Sequence, residues 1–99
     1  PPAAFDPDKA IEDLKNSKRK DLQVIGYYLM FKSIYPESKD ILNSLIKRNL
    51  RPAKDLVGYD IDRIWKTMVK LNELQFKEKW LRKWTLETVG KFIDELEEF

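Results

Sequence analysis

Two pairs of carboxylates come nearest to a catalytic arrangement in this sequence. Asp60 lies two positions before Asp62, and Asp94 adjoins Glu95. Paired carboxylates do acid–base work when an apolar setting raises the pKa of one of them. Neither pair has such a setting, and the first flanks a predicted helix start, where acidic residues are favoured electrostatically. We therefore expect no catalytic residue and no enzymatic activity from this domain alone, although it would fit within a larger enzyme such as a primase.

The composition argues against most other kinds of catalytic or cofactor-binding site. The chain has no Cys and no His, which removes the commonest metal ligands and the commonest general base. Its three Gly are isolated, so there is no Gly-rich phosphate loop. We expect no metal and no cofactor, with ATP held by Lys and Arg as the one alternative. No apolar run approaches the roughly 20 residues of a membrane span, and no signal peptide is visible. The expected setting is cytoplasmic, without membrane contact.

The basic residues suggest binding instead of catalysis. They fall into three clusters: one where the first predicted helix passes into the second, one at the end of the third, and one interleaved with tryptophans. Clustered cations hold phosphates, and single-stranded bases stack on exposed aromatic rings. The residues expected to bind nucleic acid, single-stranded DNA above all, are Lys18, Arg19, Lys20, Arg48, Arg51, Lys79, Arg82, Lys83, Trp80 and Tyr27.

Each cluster also has an ordinary structural explanation. Lys18 to Lys20 fit a solvated loop, and Arg48 and Arg51 fit the negative end of a helix dipole. Tryptophans are more often core residues than stacking platforms. A rival function is a protein-interaction module that binds a partner helix or peptide in an apolar groove. Exposure of Tyr27 and Phe76 would favour that rival.

The elements that must position these residues are predicted to be helices. The 99 residues, 42% of them apolar, suit a single domain with one core. Apolar residues recur at three and four positions along most of the chain. We predict an all-α fold, a single small bundle of five to six helices over residues 6–99, after a linker at 1–5.

The first half of the chain contains three predicted helices. Asp6-Pro7 opens the first, since Asp caps and Pro suits the first turn. The second, about 18–35, has the widest apolar face and should be the most buried. Gly26 within it indicates a close helix crossing, and Pro36 should end it at residue 35. The third helix, about 39–50, follows a Ser38 cap.

The second half is less regular. Pro52 should start a very short helical turn that Gly58 closes, and Asp60 should cap a helix that runs to about residue 74. Over residues 75–84, aromatic residues recur every four positions, which favours a helix, although alternation also fits a strand or wing. Thr85 should cap the last helix.

The run at 84–89 (WTLETV) resembles a pattern of helical domains in phage and plasmid replication proteins, where Trp-Thr-Leu opens a helix after a basic, aromatic stretch. The whole chain, Lys-rich and free of Cys and His, is similar to the helix-bundle domain beside the primase-polymerase module of archaeal plasmid replication proteins. The resemblance covers about a tenth of the chain by motif and carries over no functional residue. It implies that the domain holds single-stranded template, with nucleotide as a further ligand, for a neighbouring catalytic domain of the parent protein.

Overall fold

Side-chain caps set the starts of three of the five α-helices. In a computed structural model, which describes residues 4–96, Asp6 accepts a hydrogen bond from the Lys9 backbone N–H at 3.2 Å. Ser38 accepts one from Ile41 at 3.2 Å, and Thr85 forms a reciprocal capping box with Thr88. These contacts satisfy backbone donors that a helix N-terminus leaves unpaired. The predicted caps at these three places are confirmed, whereas Asp60 is the N-cap residue of the helix at Ile61–Leu74 without a side-chain capping hydrogen bond.

The described residues form five α-helices and one 3₁₀ turn, with no strand among them. In chain order they are α1 Pro7–Lys15, α2 Lys20–Phe31, α3 Lys39–Lys54, α4 Ile61–Leu74, the turn Lys79–Leu81 and α5 Leu86–Phe92. The all-α prediction of a small helical domain is confirmed. Residues 1–3 of the predicted linker and residues 97–99 of the predicted bundle lie outside the described range.

The second helix is central, as its wide apolar face predicts. Val24, Ile25 and Leu29 on α2 are completely buried, and α2 packs against α1, α3 and α4. The side chain of Tyr28 is also buried in this core. Burial raises the pKa of the Tyr28 hydroxyl, and a hydrogen bond from the Leu86 backbone N–H opposes that rise.

Gly26 lies where α1 meets α2 at close range. A Cβ atom at this position would stand 2.7 Å from the Lys15 backbone nitrogen and 2.8 Å from the Leu14 Cβ. Both distances are shorter than van der Waals contact allows, so only a residue without a side chain fits. The predicted close crossing at Gly26 is confirmed.

The helix α2 ends at Phe31, four residues before the predicted end. Ser33 adopts a left-handed conformation with φ of 56°. The Ile34 N–H then bonds to the Leu29 carbonyl at 2.9 Å, and the Ser33 N–H bonds to the Met30 carbonyl at 3.1 Å. This pattern is a Schellman motif, which stops a helix on its own. Local backbone geometry therefore ends α2 before Pro36 has any influence.

Pro52 does not start a separate helical turn as predicted, because α3 continues through it to Lys54. Proline within a helix removes one backbone hydrogen bond and is normally costly. Here the continuation carries Ala53 and Leu56 to positions where both are completely buried. Burial of these two side chains offsets the lost hydrogen bond and keeps the chain helical.

Residues 75–84 are not the helix that four-residue spacing predicts. The Lys77 and Glu78 N–H groups both bond to the Leu74 carbonyl, and Glu78 itself is extended. A single 3₁₀ turn follows at Lys79–Leu81. This path buries Leu81 and Trp84, which are only 3% and 2% exposed, as anchors of the segment.

Candidate nucleic-acid interface

The segment 75–84, named here the basic-aromatic segment, presents aromatic rings to solvent. Leu81 and Trp84 hold it to the core, whereas Trp80 is 64% exposed and Phe76 is 82% exposed. Trp is a highly buried residue type on average, so an exposed Trp ring is a candidate for contact with a ligand. Of the three tryptophans in the sequence, Trp65 is half-buried and Trp84 is buried, so Trp80 is the one available to a ligand.

The Trp80 ring is supported from one side. It packs against Phe92 of α5, with ring centroids 5.6 Å apart and planes inclined by 44°. This contact restricts the orientations of the indole while leaving most of its surface open. A ring that is held in place before binding loses less conformational entropy when a base stacks on it. The arrangement therefore suits a stacking platform.

The cations of the basic-aromatic segment are free to bind anions. Lys77, Lys79, Arg82 and Lys83 are all exposed. Among residues 4–96, none of the four forms an ion pair. Glu78 is the segment's one acidic residue, so its formal charge is four minus one, or +3. A short stretch thus combines unpaired positive charge with an exposed aromatic ring.

Lys32 of α2 clamps the end of this segment to the bundle. Its Nζ donates a hydrogen bond to the Trp84 carbonyl at 3.0 Å and lies 4.0 Å from the centre of the Trp84 ring. Burial lowers the pKa of the Lys32 ammonium. The Trp84 ring also packs against Tyr28 and Phe31. These contacts fix where the segment leaves the core and enters α5.

We expect Lys32→Met to loosen the basic-aromatic segment without unfolding the domain. Loss of the hydrogen bond and the cation–ring contact should cost about 1 kcal/mol at this half-exposed position. Hydrogen–deuterium exchange of the Trp84 amide should then accelerate about fivefold, with the Leu29 amide unchanged. Lys32→Arg keeps a cation over the ring and should restore part of the protection. Equal Trp84 exchange rates in wild type and Lys32→Met would show that the clamp does not hold the segment.

The other two predicted basic clusters meet at the opposite end of α2. Arg19 forms an ion pair with Asp21 at 2.9 Å. The hydrogen bond that Arg19 donates to the Asp21 carboxylate is the largest of the influences that lower the pKa of Asp21. The positive charge of Lys54 on α3 lowers it further. The end of α3 therefore lies near the start of α2. Around this junction, Lys18, Arg19, Arg48 and Arg51 are exposed and Lys20 is half-buried.

Tyr27, the second predicted stacking residue, is less accessible than Trp80. It is half-buried, and its ring meets the edge of Trp65 with centroids 6.1 Å apart. The Lys15 ammonium lies 5.4 Å from the Tyr27 ring centre. Neighbouring groups thus already occupy much of this ring, so Trp80 is the stronger candidate of the two.

The predicted cations fall into two groups. Trp84 contacts Tyr28, Phe31 and Lys32, which places the anchored end of the basic-aromatic segment near the C-terminal end of α2. Arg19 and the neighbouring cations lie at its N-terminal end. Twelve helical residues at 1.5 Å each separate these ends by about 18 Å. Sequence reasoning missed Lys32 and Phe92, because contacts between distant segments give no periodic signal.

The features that would indicate other chemistry are not seen in the described part of the chain. Asp62 pairs with Lys66 at 2.9 Å, and Asp94 accepts a hydrogen bond from the Tyr59 hydroxyl at 2.7 Å. No group of three or more metal-ligating side chains occurs among residues 4–96. Within the same range, no helix is both long enough and apolar enough to cross a bilayer.

No known family model matches the sequence, and no curated protein or solved structure matches it either.

Proposed function

We propose that this domain is a non-catalytic binding module for single-stranded nucleic acid, DNA in particular. The observation that carries the proposal is the exposed Trp80 ring, supported by Phe92 and flanked in the sequence by four exposed cations that form no ion pair among residues 4–96. Aromatic stacking with phosphate neutralisation is the general mode by which proteins bind single strands. The bases within a duplex are stacked on each other, so they have no free face on which an exposed indole could stack.

Each part of the basic-aromatic segment has a role in this proposal. A base stacks on Trp80, with Phe76 available for a second one four positions earlier in the sequence. Lys79, Arg82 and Lys83 hold the phosphates on either side. The Lys32 clamp keeps the anchored end of the segment fixed, so that ring and cations remain close together.

The resemblance to helix-bundle domains of plasmid replication proteins supplies a setting for this activity. In that setting the domain holds single-stranded template, with nucleotide as a further ligand, while a neighbouring domain of the parent protein performs catalysis. The proposal of nucleic-acid binding does not depend on this setting, because it follows from the exposed ring and the charges of this chain.

Fluorescence anisotropy with labelled single- and double-stranded oligonucleotides tests the proposal. We expect single strands to bind more tightly than duplexes. Trp80→Ala should weaken single-strand binding about tenfold, because a stacked base contributes roughly 1 to 3 kcal/mol. Tyr35→Ala, which removes a 44% exposed aromatic ring that is not part of the basic-aromatic segment, is the control and should bind like wild type.

Salt dependence gives the second readout of the same titration. Replacing Lys79, Arg82 and Lys83 by Gln should lower the slope of log K against log salt by about 2, since each phosphate contact contributes roughly 0.7 for single strands. Wild-type binding that is unaffected by salt, or unaffected by loss of Trp80, would rule the proposal out. Vesicles of phosphatidylserine in place of oligonucleotide test for a membrane ligand, and stronger binding to them would also overturn it.

A second candidate function is favoured by the exposure of Phe76. At 82% exposed, this ring would suit an apolar pocket on a partner protein, as in the protein-interaction alternative. Tyr27, the other ring that this alternative needs exposed, is half-buried. Association with such a partner would tolerate salt and would be lost in Phe76→Ala. In this alternative the wild-type domain would not bind oligonucleotides.

A further inference from the structure

The α2–α3 junction carries a second concentration of positive charge. Between Asp40 and Asp55, α3 contains no acidic residue. Together with the start of α2, it forms a surface named here the α2–α3 cationic face, made up of Lys18, Arg19, Lys20, Lys47, Arg48, Arg51 and Lys54. All seven are exposed except Lys20, which is half-buried.

Contacts between the two helices bring the end of α3 near the start of α2. Helices α2 and α3 pack against each other. The Asp21 carboxylate, whose side chain is only 11% exposed, pairs with Arg19 at 2.9 Å and also lies within the electrostatic reach of Lys54. Arg19 is the one member of the face with an ion pair in the described part of the chain. The other six charges are left available to an anionic ligand.

Stabilisation of the helix end does not account for the whole face. Arg51 and Lys54 lie in the last turn of α3, where cations interact favourably with the helix dipole. That effect fades beyond the last turn. Lys47 and Arg48 precede this turn, and both are exposed. Their positive charge therefore has no evident intramolecular partner among residues 4–96.

This face also differs in chemistry from the basic-aromatic segment. The segment combines its cations with the exposed Trp80 ring, whereas the face consists of Lys and Arg side chains alone. Such side chains contact phosphates, and these contacts position a strand without reading its bases. Trp84, the anchor of the segment, and Arg19, a member of the face, lie near opposite ends of α2, about 18 Å apart along its axis.

We propose that the α2–α3 cationic face binds the sugar-phosphate backbone of the strand whose bases stack on the basic-aromatic segment. The ligand is then a strand long enough to reach both surfaces. A strand stacked as in a duplex rises roughly 3.4 Å per phosphate, so the 18 Å between the ends of α2 correspond to about five phosphates of a stacked strand and to fewer of an extended one. This inference rests on the proposed function, because it takes the same strand as the ligand of both surfaces.

Oligothymidylates of about four and about fifteen nucleotides, lengths that bracket common single-strand site sizes, separate the two surfaces. The variant is Lys47→Gln with Arg48→Gln. We expect it to bind the long strand about tenfold more weakly and to lower the salt slope by about 1.4, for two phosphates at roughly 0.7 each. Binding of the short strand should change less than twofold. The matched control is Lys9→Gln with Lys66→Gln, which removes the same charge from exposed positions on α1 and α4, and helicity by circular dichroism verifies folding.

Each outcome decides a separate claim. Equal losses with short and long strands would overturn the two-surface arrangement, and unchanged binding at both lengths would overturn a role for the face. If the Lys9 and Lys66 control weakened binding of the long strand as much as the variant does, the effect would be one of net charge. That result would also overturn a role for the face. Wild-type binding to phosphatidylserine vesicles that the variant abolishes, with oligonucleotide binding intact, would show that the face binds lipid. Trp80→Ala could leave oligonucleotide affinity unchanged while the Lys47 and Arg48 variant weakens binding of the long strand only. That result would overturn base stacking on Trp80 and would support phosphate binding by the face.

Discussion

Gly26→Ala should lower the free energy of unfolding by about 2 to 3 kcal/mol, with a fall in Tm of roughly 10 to 20 °C for a domain of this size. The added Cβ would stand 2.7 Å from a backbone nitrogen of α1 and 2.8 Å from the Leu14 Cβ. Neither neighbour can rotate away, so α1 must shift from α2. This steric cost should exceed the gain of about 1 kcal/mol that Ala brings to a helix. Thermal unfolding followed by circular dichroism measures the difference.

Gly90→Ala provides the matched control with the opposite sign. Gly90 lies within α5, is exposed, and a Cβ there would meet no atom within 4 Å. The same substitution should therefore raise the free energy of unfolding by about 0.5 to 1 kcal/mol, through helix propensity alone. If both variants shifted Tm in the same direction, the packing of α1 against α2 would not be as described.

Trp84→Ala should be the most damaging single substitution in the segment between α4 and α5. The ring is 2% exposed and packs against Tyr28, Phe31 and the Lys32 ammonium. Truncating a buried Trp to Ala typically costs 3 to 5 kcal/mol. A domain of about 100 residues has a total stability of roughly 5 to 15 kcal/mol. Urea unfolding should show a midpoint that is lowered in proportion to this loss of stability, or a chain that no longer folds.

Trp80→Ala is the control, since it removes the same side chain four positions earlier in the sequence. With 64% of Trp80 exposed and one ring contact to Phe92, we expect a loss below about 1 kcal/mol. A large destabilisation by Trp80→Ala would mean that this ring belongs to the core and is not free to bind a base.

The positions of these two rings explain how far sequence reasoning reaches. Trp80 and Trp84 are four residues apart, so helical periodicity puts them on one face. The extended backbone at Glu78 and the 3₁₀ turn after it point one ring outward and the other inward. No local pattern encodes this turn, because the core contacts of Leu81 and Trp84 select it.

The boundaries of the helices show the same division between local and distant information. The caps at Asp6, Ser38 and Thr85 depend only on residues three positions away, and each was predictable. The end of α2 depends on the left-handed conformation of Ser33, a residue type that rarely adopts it. The continuation of α3 through Pro52 depends on the burial of Ala53. The first departure arises from a local turn that the residue type does not indicate, and the second arises from packing in the core.

The candidate site was predictable in composition but not in arrangement. Residue types and clustering identified all three groups of cations. The pairing of the start of α2 with the end of α3, and the position of Trp84 near the opposite end of α2, follow from helix packing. The support of Trp80 by Phe92 likewise joins residues twelve positions apart that no periodic pattern relates.

Fluorine NMR of protein labelled with 5-fluorotryptophan tests the central claim most directly, because each of the three tryptophans gives its own resonance. Trp80→Phe assigns the resonance of Trp80. On addition of an unlabelled oligothymidylate, we predict that the Trp80 resonance moves with saturable concentration dependence while those of Trp65 and Trp84 stay in place. A Trp80 resonance that remains unchanged while the oligonucleotide binds would contradict the claim that this ring stacks on a base.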